Sequence, residues 1–291
     1  MKKTIYALGF FDGVHLGHRA LLQTCVTLAK DLDAETAAIT FEQHPLSLLS
    51  NQTPPLLGTL SDRFRLLLQF GIHRVHPFPV TIEVMSTNWR AFLEILLAEG
   101  AVGFVCGDDF RFGHKGEGDA QKLQQFCKER NLPCVIVPEQ SMDGMRISSS
   151  HIRSLVEAGD VETAAKFLGH PHILSGEVVS GRQIGRTIGV PTANILIPDE
   201  VVVPKLGVYA TECLIDGARH KAVTNIGSRP TVDGHQVRAE SWILDFDGDL
   251  YGKHMTVLFH KFLRPERKFA SLEELKAQIQ KDAERTKQLL P

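Results

Sequence analysis

Cysteine is scarce in this chain and never stands at metal-ligand spacing. Five cysteines occupy positions 25, 106, 127, 134 and 213, and no Cys-x-x-Cys occurs. An odd number without pairing spacing argues against a disulfide framework and against a closed zinc site, and points to a reducing, cytoplasmic setting. Excess charge is also lacking. The formal net charge is -2, which gives no general attraction for nucleic acid or a membrane surface, so any anion site must be local. No run is long and apolar enough to span a membrane, and the two lysines after Met1 do not open a signal-peptide pattern. The sequence carries no signal for a particular oligomeric state. What remains is a 43% hydrophobic chain of 291 residues, too long for one ordinary core, so two domains are expected.

The most informative stretch is Gly9-Phe10-Phe11-Asp12-Gly13-Val14-His15-Leu16-Gly17-His18. An apolar run, Ile5–Leu8, precedes it. Leu21, Leu22, Cys25, Leu28 and Ala29 follow at helical spacing. The order is strand, glycine-rich turn, helix, which aims a helix N-terminus at whatever lies above the turn. Gly9 and Gly13 leave room for a phosphate near the backbone. His15 and His18, three apart, should share a face and meet charge that grows on a phosphate under attack. A His-x-x-His pair is also half of a zinc site, but no cysteine pair supports that reading. Further strands are predicted at 37–41, 102–106 and 134–137. Helices are predicted at 61–70, capped by Ser61, and at 89–97, 120–130 and 156–168. This alternation predicts a parallel α/β sheet, with ligands beyond the carboxyl ends of its strands. The Gly107–Gly113 loop lies there. Asp109 is a candidate for holding a ribose or flavin hydroxyl, with Phe110 beside a ring. Ser148, Ser149, Ser150 and Arg153 are candidates for meeting ATP phosphates, although serine there also reads as a simple helix cap.

Near Gly169-His170-Pro171 the texture changes. Short β runs are predicted at 173–179, 207–215, 220–225, 240–246 and 254–262, without helices between them, which argues for a small antiparallel barrel. A final helix over 271–289 should pack Leu272, Leu275 and Ile279 on it. The domains read from this change are 1–168 and 169–291. Residues 181–194, Gly-Arg-Gln-Ile-Gly-Arg-Thr-Ile-Gly-Val-Pro-Thr-Ala-Asn, lack the Gly-Lys-Ser/Thr of a P-loop. Gly181 and Gly185 suit phosphates, and Thr192 and Asn194 suit Mg²⁺ through oxygen. A flexible basic loop is the plainer alternative. Glu240, read as opening a strand, matters only if that strand faces Thr192 and Asn194, where it would accept a proton.

The first-half decapeptide resembles the HxGH motif of the nucleotidyltransferase superfamily, in the form found in FAD synthetases. The second half resembles riboflavin kinase through residues 181–194, Gly207–Ala210, Thr224–Thr231, Glu240–Phe246, Asp249–Gly252 and Leu263–Phe269. Over essentially its full length the chain resembles the bacterial bifunctional riboflavin kinase/FAD synthetases. That resemblance implies a Rossmann-like nucleotidyltransferase domain followed by a kinase barrel with a C-terminal helix. It implies phosphorylation of riboflavin by ATP to FMN, then adenylylation of FMN to FAD with release of pyrophosphate. It implies Mg²⁺ with ATP, and flavins as substrate and product rather than prosthetic group. Gly9, Phe10, Asp12, Gly13, His15 and His18 then belong to an ATP site, with the Ser148–Arg153 segment. Arg229 and Arg264 belong to a flavin site with Asp109 and Phe110. Thr192 and Asn194 hold Mg²⁺, and Glu240 is the kinase base. The chain departs from the family's pattern at Gln43, where proline is usual, at Asp108, where an aromatic is usual, and at Trp242. Another HxGH nucleotidyltransferase lacks the kinase-like half, and a non-catalytic flavin binder would not need the full set of reactive residues.

Overall fold

The computed structural model describes residues 2–48, 53–180, 189–231 and 234–291. They form two compact units, one of residues 1–54 with 60–149 and the other of 55–59 with 150–291.

The first unit is built on β1 (Thr4–Leu8), β2 (Glu35–Phe41), β3 (Arg74–Phe78), β4 (Ala101–Gly107) and, after two-residue strands β5 (Arg111–Phe112) and β6 (Gly118–Asp119), β7 (Cys134–Val137). These five long strands form a sheet in the order β3-β2-β1-β4-β7, every pairing parallel. β1 is buried at each residue, as a central parallel strand should be. Chain order reverses between β1 and β4, so the crevice at their carboxyl ends is the expected ligand site. The connecting helices are α1 (Leu16–Asp31), α2 (Leu60–Gln69), the single turn α3 (Ile82–Met85), α4 (Trp89–Ala98) and α5 (Ala120–Glu129). α2 begins at Leu60, so Ser61 lies within its first turn and is not its cap. β3 escaped the sequence reading because Arg-Val-His-Pro-Phe does not look like a strand. It is an edge strand, where a proline that cannot donate is tolerated.

The second unit opens in α6 (Ser149–Ala158), continues through α7 (Val161–Leu168), and forms β10 (His172–Glu177), β11 (Ala193–Leu196), β12 (Gly207–Ile215), β13 (Ala218–Thr231), β14 (Gly234–Ile243) and β15 (His254–Arg264). Between β7 and α6 lies a small hairpin, β8 (Ser141–Met142) with β9 (Met145–Arg146). The six long strands pair in the order β10-β15-β12-β13-β14-β11. A bridge from Val179 to Asn194 nearly closes them into an antiparallel barrel. Alternate residues face inward. Ile195, Tyr209, Ala222, Ile226, Ala239 and Ile243 fill the interior. A hydroxyl row, Thr211–Thr224–Ser241 at 2.7 and 2.8 Å, satisfies its polar members.

Two sequence expectations change here. β14 begins at Gly234, so Glu240 sits deep in a strand and not at its start. The final helix α8 (Leu272–Leu289) is capped by Ser271, whose hydroxyl accepts from Glu274 N–H at 3.2 Å. It buries Asp282, Ala283 and Thr286, while Leu272 is half exposed. Leu275 and Ile279 instead line a cavity. The apolar stripe was read correctly as a stripe, but it roofs a space.

Val161 of α7 is fully buried in the barrel core. A fragment starting at Leu168 loses it, and burial of a valine side chain is worth about 1.5–3 kcal/mol. A fragment starting at Ser150 is therefore expected to unfold cooperatively, and at a clearly higher temperature than one starting at Leu168. Equal midpoints in calorimetry would show that α7 contributes nothing to the barrel.

Candidate functional site: two clefts for two transfers

In the first unit the turn after β1 is strained. Phe11 (φ 58°), Gly13 (φ 73°) and Val14 (φ 42°) all lie in the left-handed region. For a β-branched residue such as Val14 this is a true outlier, of the kind that clusters where geometry serves a site. Phe11 and Val14 are fully buried, and that packing holds the turn. His15 then caps α1. Its Nδ1 accepts the N–H of His18 at 3.2 Å. With Nδ1 committed as acceptor, neutral His15 carries its proton on Nε2. The two imidazoles stack at 3.6 Å, 11° from parallel. Gly17 was overlooked as a site residue, and its role is spatial. A Cβ there would stand 3.2 Å from the His15 ring.

Both histidines line a cleft of about 350 Å³ with Gly9, Phe10, Gly17, Asp109, Phe110, Arg146, Ser148 and Ser149. Phe41 and Pro45 line it too, so the His15 turn, the 41–45 turn and the 107–113 loop border one cleft. Ser149 Oγ, within the first unit, donates to the Asp12 carbonyl at 3.0 Å. The Asp12 side chain itself is buried, and Asp12 and Gly13 shape the turn from beneath. Asp109 is paired with Arg146 at 2.6 Å, with both side chains at least half exposed in the cleft. Phe110 stacks on Phe112 at 5.5 Å. Asp108 accepts the N–H of Glu139 at 3.2 Å. Ser150 and Arg153 continue α6 and belong to the second unit.

In the barrel, register does what spacing could not show. Asn194 of β11 stands opposite Glu240 of β14, and Glu240 stands opposite Asn225 of β13. Direct cross-strand partners share a face, so Glu240 lies between two amides. Thr192 precedes β11 and lines two cavities. One, of about 650 Å³, is bounded by Pro191, Phe246, Asp247, Gly248, Asp249 and Tyr251. The other, of about 390 Å³, holds Asn225, Glu240, Trp242, Phe269, Leu275 and Ile279. Asn194 is 4% exposed, and its Oδ1 is buried without a partner among the described residues. An orphaned acceptor of this kind suits a hard cation. Arg264 lines the same smaller cavity and is also paired. Its Nε and Nη2 donate to Asp282 of α8 at 2.9 and 2.8 Å, so it fixes the cavity's roof. Gly181 and Gly185 lie outside the described residues, as does the side chain of Arg229, whose backbone is in β13.

A crevice with paired imidazoles in one unit, and a Thr-x-Asn strand beside a glutamate in the other, are two candidate sites of the kind a phosphate-transferring enzyme needs. A family model described as FAD synthetase matches residues 1–151, and one described as riboflavin kinase matches residues 168–290. The bifunctional riboflavin kinase/FMN adenylyltransferase of Listeria monocytogenes is 36% identical over 97% of this chain and 91% of its own length. That of Escherichia coli K12 is 39% identical over 96% and 90%. The solved structure of a macrolide-efflux protein from Streptococcus pneumoniae shares the architecture at a TM-score of 0.87, with 30% identity over 98% of this chain and 94% of that one. This chain belongs to the bifunctional riboflavin kinase/FMN adenylyltransferase family. It phosphorylates riboflavin to FMN with ATP and adenylylates FMN to FAD. No helix among the described residues is long and apolar enough to cross a membrane.

The histidine pair also sets a pH dependence. Burial, the stacked His15 and the nearby Arg63 charge hold His18 well below its usual value near 6.5. Below that value the unfolded chain binds a proton that the folded chain refuses, so stability present above it is lost as pH falls. Between pH 6.5 and 5.5 the first unit should lose up to about 1.4 kcal/mol through this one group. H18Q should remove that share of the slope in denaturant titrations at the two pH values.

Proposed function

We propose that the first-unit cleft carries adenylyl transfer and the barrel carries riboflavin phosphorylation, the chemistry dividing between residues 1–168 and 169–291. The folded unit of the kinase half begins earlier, at Ser150. For adenylyl transfer, a phosphate oxygen of FMN attacks the α-phosphorus of ATP and pyrophosphate leaves. The His15 Nε2–H, His18 and the first N–H groups of α1 meet the charge that builds on the α-phosphate. Ser148 and Ser149 contact the nucleotide, supported by their place in the cleft, with Gly9 and Phe10 beneath it. Phe110, backed by the buried Phe112, offers a face for a ring, and Asp109 reaches a ligand hydroxyl only by sharing or leaving Arg146.

For the kinase, the observation that carries the reading is Asn194 standing opposite Glu240, with Thr192 common to two cavities. ATP occupies the larger cavity, against Phe246 and the Asp247–Tyr251 turn. Riboflavin occupies the more apolar one, between the barrel and α8, against Trp242 and Phe269. Glu240 accepts the proton of the ribityl terminal hydroxyl, that oxygen bonds to the γ-phosphorus, and ADP leaves. Thr192 and the unpartnered Asn194 Oδ1 are the residues that would hold Mg²⁺. When bound, the ion neutralises phosphate charge. Five free cysteines, four of them buried, support a cytoplasmic enzyme whose partners are riboflavin, FMN, FAD and ATP, without nucleic acid or membrane.

Two experiments separate the halves. H15A/H18A should abolish FAD formation from FMN, since one lost donor typically costs about 10²–10³-fold, and should leave FMN formation largely intact. FAD formation at the parent rate would move adenylyl transfer elsewhere. E240Q should cut single-turnover FMN formation about 10²–10⁴-fold while still converting supplied FMN to FAD. A rate within a few-fold of the parent, with riboflavin and Mg-ATP saturating, would remove Glu240 from the mechanism.

A further inference from the structure

Arg63 is only 2% exposed, yet it does not line the adenylyl-transfer cleft. It projects from α2, which packs against the strained turn. Its Nη1 donates to Thr40 Oγ1 at 3.0 Å and to the Phe41 carbonyl at 2.7 Å. Thr40 Oγ1 in turn donates to the Phe10 carbonyl at 2.7 Å. The guanidinium also lies 4.3 Å from the centre of the Phe10 ring, whose far contact is His44, edge-on at 5.2 Å. One cation therefore grips the end of β2 and the residue that opens the histidine turn.

This arrangement is poor value as structure alone. Nε and Nη2 are buried with no hydrogen-bond partner among the described residues. Burial lowers the group to about 10, opposed by the Asp12 carboxylate. Unpaired buried donors on a charged group are destabilising, and an apolar side chain of similar length would usually fit such a place at less cost. A charged group kept under that penalty, beside strained backbone, points to a role in the site.

We propose that Arg63 is a positioning residue for adenylyl transfer, which through Thr40, Phe41 and Phe10 sets where the Gly9–His18 turn presents its imidazoles. It acts without touching either substrate. The inference rests on the assignment of His15 and His18 to that reaction. The same charge is one of the influences that keep His18 unprotonated, with burial and His15.

The test is a double-mutant cycle on the full chain, measuring kcat and KM for FAD formation from FMN and ATP. R63M should lower kcat at least about tenfold, since a displacement of about 1 Å can cost about 10²-fold, with KM for FMN within about twofold of the parent. R63K, which keeps the cation, should recover most of that loss, and it also covers the case in which R63M does not fold. Because Arg63 acts through the imidazoles of the turn, the R63M change should slow H18A by clearly less than it slows the parent, since groups that act as a unit are non-additive. Losses that multiply in the double variant would overturn the proposal, as would R63M at the parent kcat or R63K no better than R63M. H18A at the parent rate would instead overturn the histidine assignment beneath it, which separates the two failures.

Discussion

A single backbone-to-ring hydrogen bond organises the first unit: His18 N–H to His15 Nδ1. It satisfies one of the donors left open at the start of α1. It leaves the proton of a neutral His15 on Nε2. It also draws the two rings into parallel contact. The strained turn exists to deliver His15 to that position, and Phe11 and Val14 are buried so that the strain is held. Gly17 is glycine because the His15 ring passes over it. Substituting His15 therefore changes the helix start as well as the proposed chemistry, whereas substituting His18 leaves the donating backbone N–H in place.

The barrel solves a different problem, since it must have two useful faces. Period-two alternation sends Ile226, Ala239 and Ile243 inward and sends Asn225, Glu240 and Trp242 to the face that α8 covers. The cover is held at one end by the forked Arg264–Asp282 pair, with exposures of 17% and 6%. That pair is enclosed enough to be worth more than an exposed surface ion pair. Towards the other end, Leu275 and Ile279 line a cavity together with Val208, Val223 and Trp242 of the barrel. The gap between is the smaller cavity, so the proposed flavin site is a place where packing was withheld.

Much of this was readable from residue order. The runs at 5–8, 37–41, 102–106 and 134–137 became the parallel strands because buried parallel strands are continuously apolar. His15 and His18 stand out in sequence because two imidazoles three apart open the helix after a glycine turn, and the structure stacks them in one cleft. Other features depended on pairing between distant segments. Asn194 and Glu240 are 46 residues apart in sequence and become neighbours only through the β11–β14 register. Arg264 lines the smaller cavity, but its pairing with Asp282 was not legible in sequence. Arg63 gave no signal, since an arginine on an amphipathic helix normally reaches solvent. β3 was hidden by Pro77, which an edge position permits.

Thr192 borders both barrel cavities, and this bears on the handedness of the transferred phosphorus. On the proposed assignment, donor and acceptor approach the γ-phosphorus from opposite sides of Thr192. No nucleophilic side chain is assigned to take the phosphoryl group in between. A single in-line displacement turns the three remaining oxygens inside out, like an umbrella in wind. A γ-phosphate made chiral with oxygen isotopes and sulfur would thus emerge on the flavin with its configuration inverted.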